Sequence, residues 1–400
     1  MTKQTPRENG PFADLASAGT EPALLTPGPL TTSMRTKESM LRDWGSWDDD
    51  FKAISKEIRI RLVDMCDGGE DYDCALMQGS GSFSVEAMLS SFIPKNGSKT
   101  LLLMNGAYGQ RSKKTMDYLD RDYVELDKGD YLPPMPNEVA DILDSDPAIS
   151  HVVLVHCETS SGILNPLKEI SDVVVAKGRK LLVDSMSAFG AVPLSVKDIP
   201  FEAMVSSANK CIEGVPGFGF IVAKKSALEA AKGNSHSLAL DVHDQWAHMN
   251  KTGQWRFTPP THTVVAFLEA LYQHEEEGNV EGRHGRYLNN RQVLVKGMRE
   301  LGFETLLEDR WLSPIITTFF CPAHKNFDFA TFYAEIKKEG YIIYPGKLTV
   351  VDSFRVGNIG QLFEEDMNGV LAAMKKACVS MGVDDCSPPA EALEQRKLQA

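Results

Sequence analysis

The sequence predicts an α/β protein with a mostly parallel sheet between layers of helices, followed by a smaller α+β region. Three observations carry that expectation. From about residue 75 to 225, short apolar runs alternate with turn residues and helix-like segments, the rhythm of a parallel sheet with crossover helices. Beyond about residue 276 the rhythm changes. The chain has 400 residues, 42% of them hydrophobic, ample for a well-buried core and long enough for more than one domain.

In chain order, residues 1–22 are a polar extension. The runs Lys99–Met104, His151–Val155, Lys180–Val183 and Gly219–Val222 are strand-like, and Ser84–Ile93 and Pro166–Lys177 read as helices. The segment Thr258–His274 opens on Thr-Pro-Pro-Thr and continues as an apolar helix, because a helix tolerates proline in its first turn. Glu275–Gly285 is strongly polar and reads as a surface helix or hinge, which places a boundary near residue 276 between a large unit (23–275) and a small one (276–386). A helix (Tyr287–Leu301), a strand (Pro314–Cys321), a helix (Asp328–Glu339) and a strand (Tyr341–Tyr344) are expected after it. Residues 387–400 carry a Pro-Pro pair and charged side chains and are expected to fray.

Composition narrows the functional classes. The net charge is −13 with few long basic runs, which argues against a nucleic-acid partner. An anion site must therefore be built locally, from arginines and helix N-termini. No apolar run reaches the roughly 18 residues of a membrane span, and the first residues lack an apolar signal core, so a cytoplasmic protein without membrane attachment is expected. Cysteines 66, 74, 157, 211, 321, 378 and 386 form no C-x-x-C pair and suit reduced thiols, and the histidines show no metal-binding spacing, so no metal is expected.

Six segments carry chemistry. Lys210 follows Val205-Ser-Ser-Ala-Asn and precedes a Gly-rich loop to Gly219. A lysine so confined can lose its proton and attack an aldehyde, although taken alone it is more often a surface lysine before a hairpin. Lys180-Leu-Leu-Val-Asp184 puts a carboxylate at the carboxyl end of a buried-type strand, where α/β enzymes place catalytic groups; alone, Asp184 is equally a helix N-cap. A pyridoxal phosphate ring needs both, an amine to form an imine and a carboxylate to keep the pyridine nitrogen protonated. Gly79-Ser80-Gly81-Ser82 runs straight into a helical segment and suits a phosphate, or simply a capped helix; it matches neither a Walker loop nor a dinucleotide fingerprint. Tyr108, in Asn105-Gly-Ala-Tyr108-Gly-Gln-Arg111, can stack on a planar cofactor or line a core. In His156-Cys-Glu158-Thr159-Ser-Ser-Gly, after another strand, a hydroxyl can donate to a phenolate oxygen or serve an ordinary turn. Arg355, within the apolar and Gly-rich stretch Tyr344–Gly360, is costly unless it meets a carboxylate or phosphonate, or a salt-bridge partner inside the small unit.

Together these residues resemble the class V aminotransferases of pyridoxal-phosphate fold type I. The segments Thr26-Pro-Gly-Pro, Arg42-Asp-Trp-Gly-Ser-Trp-Asp, Gly79-Ser-Gly-Ser-Phe-Ser-Val-Glu-Ala, Val155-His-Cys-Glu-Thr-Ser-Ser-Gly, Ser207-Ala-Asn-Lys-Cys-Ile-Glu-Gly-Val-Pro-Gly and Tyr344-Pro-Gly-Lys347-Leu-Thr resemble the branch that acts on 2-aminoethylphosphonate and pyruvate. The resemblance spans residues 23 to 382. It implies a mostly parallel seven-stranded sheet, pyridoxal 5'-phosphate linked to Lys210, and Asp184 on the ring nitrogen. It also implies Tyr108 stacked on the ring, Thr159 at the phenolic oxygen, and Ser80, Gly81 and Ser82 around the phosphate. Thr258 would come from the neighbouring subunit of a homodimer, and Arg355 would hold the substrate anion. The reaction implied is amino transfer from 2-aminoethylphosphonate to pyruvate, giving phosphonoacetaldehyde and L-alanine. Ser82 stands where the family usually has Thr and keeps the hydroxyl. The rival readings are an alanine– or serine–glyoxylate aminotransferase, a non-enzymatic scaffold on the same fold, and a phosphate-binding module without pyridoxal phosphate.

Overall fold

The computed structural model describes residues 21–346 and 351–399. Most of the polar extension, residues 1–20, and Lys347 with its neighbours up to residue 350 lie outside them. The apolar runs pair into one seven-stranded sheet. Across it the order is 72–78, 218–224, 203–207, 180–184, 149–155, 99–104 and 123–127. The strand Phe218–Lys224 is antiparallel to both neighbours, and the other pairings are parallel. Side chains alternate across the sheet with the strand period of two. Leu101, Leu103, Val152, Leu154, Leu181 and Val183 face one core, built with the helices Asp49–Asp64, Leu167–Ala176 and Thr261–Glu276. Leu102, Met104, Val153 and Leu182 face the other, built with the helices Gly81–Phe92 and Ala107–Leu119. Both faces are covered, as an all but wholly parallel sheet requires, and the expected fold class is the one observed.

A third core lies towards the C-terminus. The strands Ile316–Phe320, Ser353–Gly357 and Tyr344–Pro345 form a small antiparallel sheet, packed by the helices Asn279–Glu300, Phe329–Lys338 and Glu364–Met381. Phe354 sits centrally there, edge-on to Phe303 with ring centroids 5.7 Å apart.

Four expectations change. The helix expected at Tyr287–Leu301 begins a full two turns earlier, at Asn279, after a break at which Gly278 takes φ +99°. The strand expected at Tyr341–Tyr344 is split between two sheets: Tyr341–Ile342 pairs parallel with Ala23–Leu24, and Tyr344–Pro345 joins the strand of Arg355. Residues 23–24 therefore pack with the C-terminal portion, not with the large sheet. The tail does not fray throughout. Ala390–Gln399 is a helix, with Ala392 buried and Arg396 donating to Glu304 and, at 2.6 Å, to the Thr305 carbonyl. The proline pair offsets that helix from the preceding segment without preventing it.

The polar stretch around residue 280 turns inward. Arg283 is 0% exposed and Glu213 3%. The Glu213 carboxylate accepts from Arg286 at 2.8 Å, Tyr287 at 2.5 Å and Gln361 at 2.6 Å, with Arg283 at 3.4 Å. Glu277 takes the other sides of both arginines at 2.8 Å. This charge cluster ties the turn after Lys210 to the C-terminal core. Breaking a buried ion pair on one side leaves the other charge uncompensated and costs about 3–5 kcal/mol. Glu213→Ala is therefore expected to lose about that much stability in urea titrations. A loss below about 1 kcal/mol, the range of exposed ion pairs, would show that the cluster is not held together by that carboxylate.

Candidate active site

In a parallel sheet all carboxyl ends face one way, and the segments leaving them converge. The antiparallel strand Phe218–Lys224 starts at that same edge. A cavity of about 540 Å³ opens there, lined among others by Gly79, Ser80, Gly81, Ser82, Tyr108, Arg111, Asp184, Asn209 and Lys210. Six of the nine candidate residues thus share one cavity. Asp184 is the last residue of its strand and pairs with Val205, so the next strand delivers Lys210 just beyond it.

Both ionisable groups are desolvated. Asp184 is 4% exposed and accepts from the Met186 N–H at 3.0 Å. Burial pushes its carboxyl up to about 6, against the opposing Met186 bond. Burial pulls the Lys210 ammonium down to about 8; Cys211 and Asp184 oppose the shift, and the arginines 111 and 355 add to it. The Lys210 amine donates to the Pro27 carbonyl at 2.6 Å. The chain passes over it with Gly28 at φ +103°, where an added Cβ would lie 2.9 Å from the lysine Nζ. Only glycine admits so close a crossing. The Thr-Pro-Gly-Pro turn was visible in the sequence, but its place against Lys210 was not.

Of the other candidates, Ser80, Gly81, Ser82 and Tyr108 line the cavity with this pair, and Thr159, Thr258 and Arg355 do not. Ser80 stands at the N-cap of Gly81–Phe92 without a side-chain capping bond, so its hydroxyl and the first-turn N–H groups can serve a ligand. Thr159 is buried, and its hydroxyl has no hydrogen-bond partner. Arg355 is 5% exposed; it donates to the carbonyls of Thr159 at 3.0 Å and Pro345 at 3.1 Å, and burial lowers its pKa. Among the described residues it has no carboxylate partner, so the salt bridge considered for it is not made. Thr258 lies outside the cavity of its own chain and is exposed; its carbonyl accepts from Gln78, just before the Gly-Ser-Gly-Ser loop. Glu158 carried no role in the sequence reading. Its buried carboxylate accepts the N–H groups of Tyr108 at 3.0 Å and Gly109 at 3.1 Å, which seats the helix bearing Tyr108.

A model of the class-V aminotransferase family matches residues 62–343. The chain is 67% identical, over 94% of its length and 98% of the relative's, to 2-aminoethylphosphonate–pyruvate transaminase of Rhizobium meliloti (strain 1021). It is 62% identical, over 95% and 98%, to 2-aminoethylphosphonate–pyruvate transaminase 1 of Paraburkholderia xenovorans (strain LB400). The chain belongs to the class-V aminotransferases. Ureidoglycine–glyoxylate aminotransferase from Bacillus subtilis shares the fold, with a TM-score of 0.83 at 19% identity over 94% of this chain and 97% of that one.

Members of this family work with pyridoxal phosphate, and the residues present fit it. The cavity has room for a pyridine ring, a buried carboxylate and an amine reach it together, and a hydroxyl-rich helix start borders it; the buried Thr159 hydroxyl, outside that lining, is left unbonded. The raised Asp184 carboxyl generates a prediction. Its folded pKa of about 6 exceeds the ordinary value of 3.8, so ionisation opposes folding fully above pH 6 and not at all below about pH 4. Asp184→Asn keeps the Met186 bond and removes the charge. Without cofactor it is expected to melt higher than wild type above pH 6, with the gap closing towards pH 4. A pH-independent gap would show that the carboxylate is not desolvated.

Proposed function

We propose that this chain transfers the amino group of 2-aminoethylphosphonate to pyruvate, giving phosphonoacetaldehyde and L-alanine. The observation that carries the substrate assignment is Arg355, a buried guanidinium that donates to two carbonyls and makes no salt bridge among the described residues, the buried Glu158 carboxylate acting on it only at longer range. A buried cation so placed calls for an anionic guest, and its planar fork suits phosphonate and carboxylate alike. The two highly identical relatives, both named for this reaction, support the same reading. An alanine– or serine–glyoxylate reaction gains no comparable support.

Pyridoxal phosphate, when bound, supplies a carbonyl that condenses with amines and a ring that takes up the electron pair left by a departing proton. The chain's own residues do the rest. Asp184 would keep a proton on the ring nitrogen, Tyr108 would stack on the ring, Thr159 would donate to the phenolic oxygen, and Ser80, Gly81 and Ser82 would hold the phosphate. Lys210, whose ammonium pKa burial lowers to about 8, would take the proton from the substrate carbon next to nitrogen in the first half-reaction and give one to the carbonyl carbon derived from pyruvate in the second. The Pro27–Pro29 turn covers Lys210 and limits access of water. Arg355 anchors each substrate in turn, so kinetics are ping-pong.

We further propose a homodimer in which Thr258 reaches the partner's phosphate site, in a cytoplasmic enzyme. Thr258 is exposed beside Phe257, 42% exposed, and Phe83, in the first turn of the helix Gly81–Phe92, is 53% exposed. No helix among the described residues is long and apolar enough to cross a membrane.

Lys210→Ala should abolish turnover and the visible absorbance of the loaded enzyme; wild-type turnover in that variant would refute the assignment. Arg355→Ala should raise KM for 2-aminoethylphosphonate and pyruvate by on the order of a hundredfold, and an unchanged KM for both removes its anchoring role. Sedimentation should give twice the chain mass, with a monomer at active concentrations ruling out the shared site.

A further inference from the structure

Arg111 was part of a motif in the sequence that the reaction above leaves without a role. It sits one helical turn after Tyr108 on Ala107–Leu119, and both line the cavity. Its Nη1 donates to the Ser82 hydroxyl at 2.8 Å, and its guanidinium lies 4.9 Å from the centre of the Tyr108 ring. Among the described residues no ion pair to a carboxylate neutralises it. Arg355 stands elsewhere in the site, bonded to the Thr159 and Pro345 carbonyls. The two arginines therefore attend different ends: Arg111 the Gly-Ser-Gly-Ser loop, Arg355 the loop of Thr159.

We propose that Arg111 is a binding residue for the phosphate of the cofactor, acting beside the helix start at Ser82. The proposal rests on the pyridoxal-phosphate reading above and adds a charge to it. A hydroxyl-rich helix N-terminus offers N–H groups and only a partial positive charge, whereas a phosphate monoester near neutral pH carries close to two negative charges. In a chain of net charge −13 the balance has to come from a cation at the site. Arg111 meets that need while its face packs on Tyr108, so the ring-stacking side chain and the phosphate end are held by one helix.

The test compares pyridoxal phosphate with pyridoxal, which lacks only the phosphate. Each is dialysed to equilibrium against the full-length protein, and occupancy is read from absorbance. For Arg111→Ala the dissociation constant for pyridoxal phosphate should rise on the order of tenfold to a hundredfold, and that for pyridoxal should change less than about twofold, with Arg111→Lys between. Inorganic phosphate should strengthen pyridoxal binding in wild type and not in Arg111→Ala. Equal loss for both ligands would overturn the proposal, because Arg111 would then act through the Tyr108 ring. An unchanged dissociation constant with a raised KM for 2-aminoethylphosphonate would also overturn it and assign Arg111 to the substrate. Failure of the wild-type protein to bind pyridoxal phosphate at all would instead sink the underlying reading.

Discussion

Two charges that water would normally stabilise are withdrawn from it at neighbouring strand ends. Asp184 keeps one backbone N–H, and Lys210 keeps one backbone carbonyl. Neither bond replaces a hydration shell, so burial pushes the carboxyl up and the ammonium down. Much around them serves to keep that state in place. The parallel register brings the two strand ends side by side, the Pro27–Pro29 turn covers the amine, and a glycine at positive φ lets the backbone pass close above it. A site with such opposed shifts is poorly paired on its own and well matched to a ligand that is cationic at one end and electrophilic at the other.

The charge cluster at Glu213 gives that pair a mechanical connection. Glu213 adopts φ +66°, an uncommon conformation for a side-chain-bearing residue, and its N–H closes a turn onto the Lys210 carbonyl at 2.7 Å. Its carboxylate holds that turn against Arg283, Arg286 and Tyr287, while Arg286 and Tyr287 also bond the backbone of Gly360. Gly360 lies just past the strand that carries Arg355. The turn bearing the amine and the strand bearing the anion anchor thus meet at one buried cluster. A displacement of either element would have to move the same arginines, which couples the position of the substrate anion to that of the lysine.

Much of this was legible before any coordinates. Strand runs announced themselves by apolar composition, and Asp184, Lys210 and the Gly-Ser-Gly-Ser loop stood where strands end. What stayed hidden shares one physical cause: pattern reading equates polar with exposed. Glu277 and Arg283 fall in a stretch read as surface because it is charged, yet Arg283 is wholly buried against Glu213, far away in sequence, and Glu277 is partly buried against Arg283 and Arg286. Glu158 was hidden in the same way, because it is buried through the backbone N–H groups of Tyr108 and Gly109 and through Ser160, none of which marks it in the sequence. The C-terminal helix was missed because a proline pair signals a break and carries no information on the conformation of the residues beyond it.

The layout of positive charge in the cavity resolves a tension visible from composition. An acidic chain repels anions at long range, and salt screens that repulsion within about 8 Å at physiological ionic strength. Inside a cavity walled by strand ends and helices, screening is weak and a single guanidinium counts for far more. Placing one arginine by Ser82 and another by Thr159 separates two like charges while letting both bear on Lys210, whose ammonium both disfavour. The same cations that would attract a phosphate and a phosphonate therefore also help to lower the pKa of the lysine ammonium. Burial remains the main cause of the lowered Lys210 pKa, and the two arginines that would hold anions add to it.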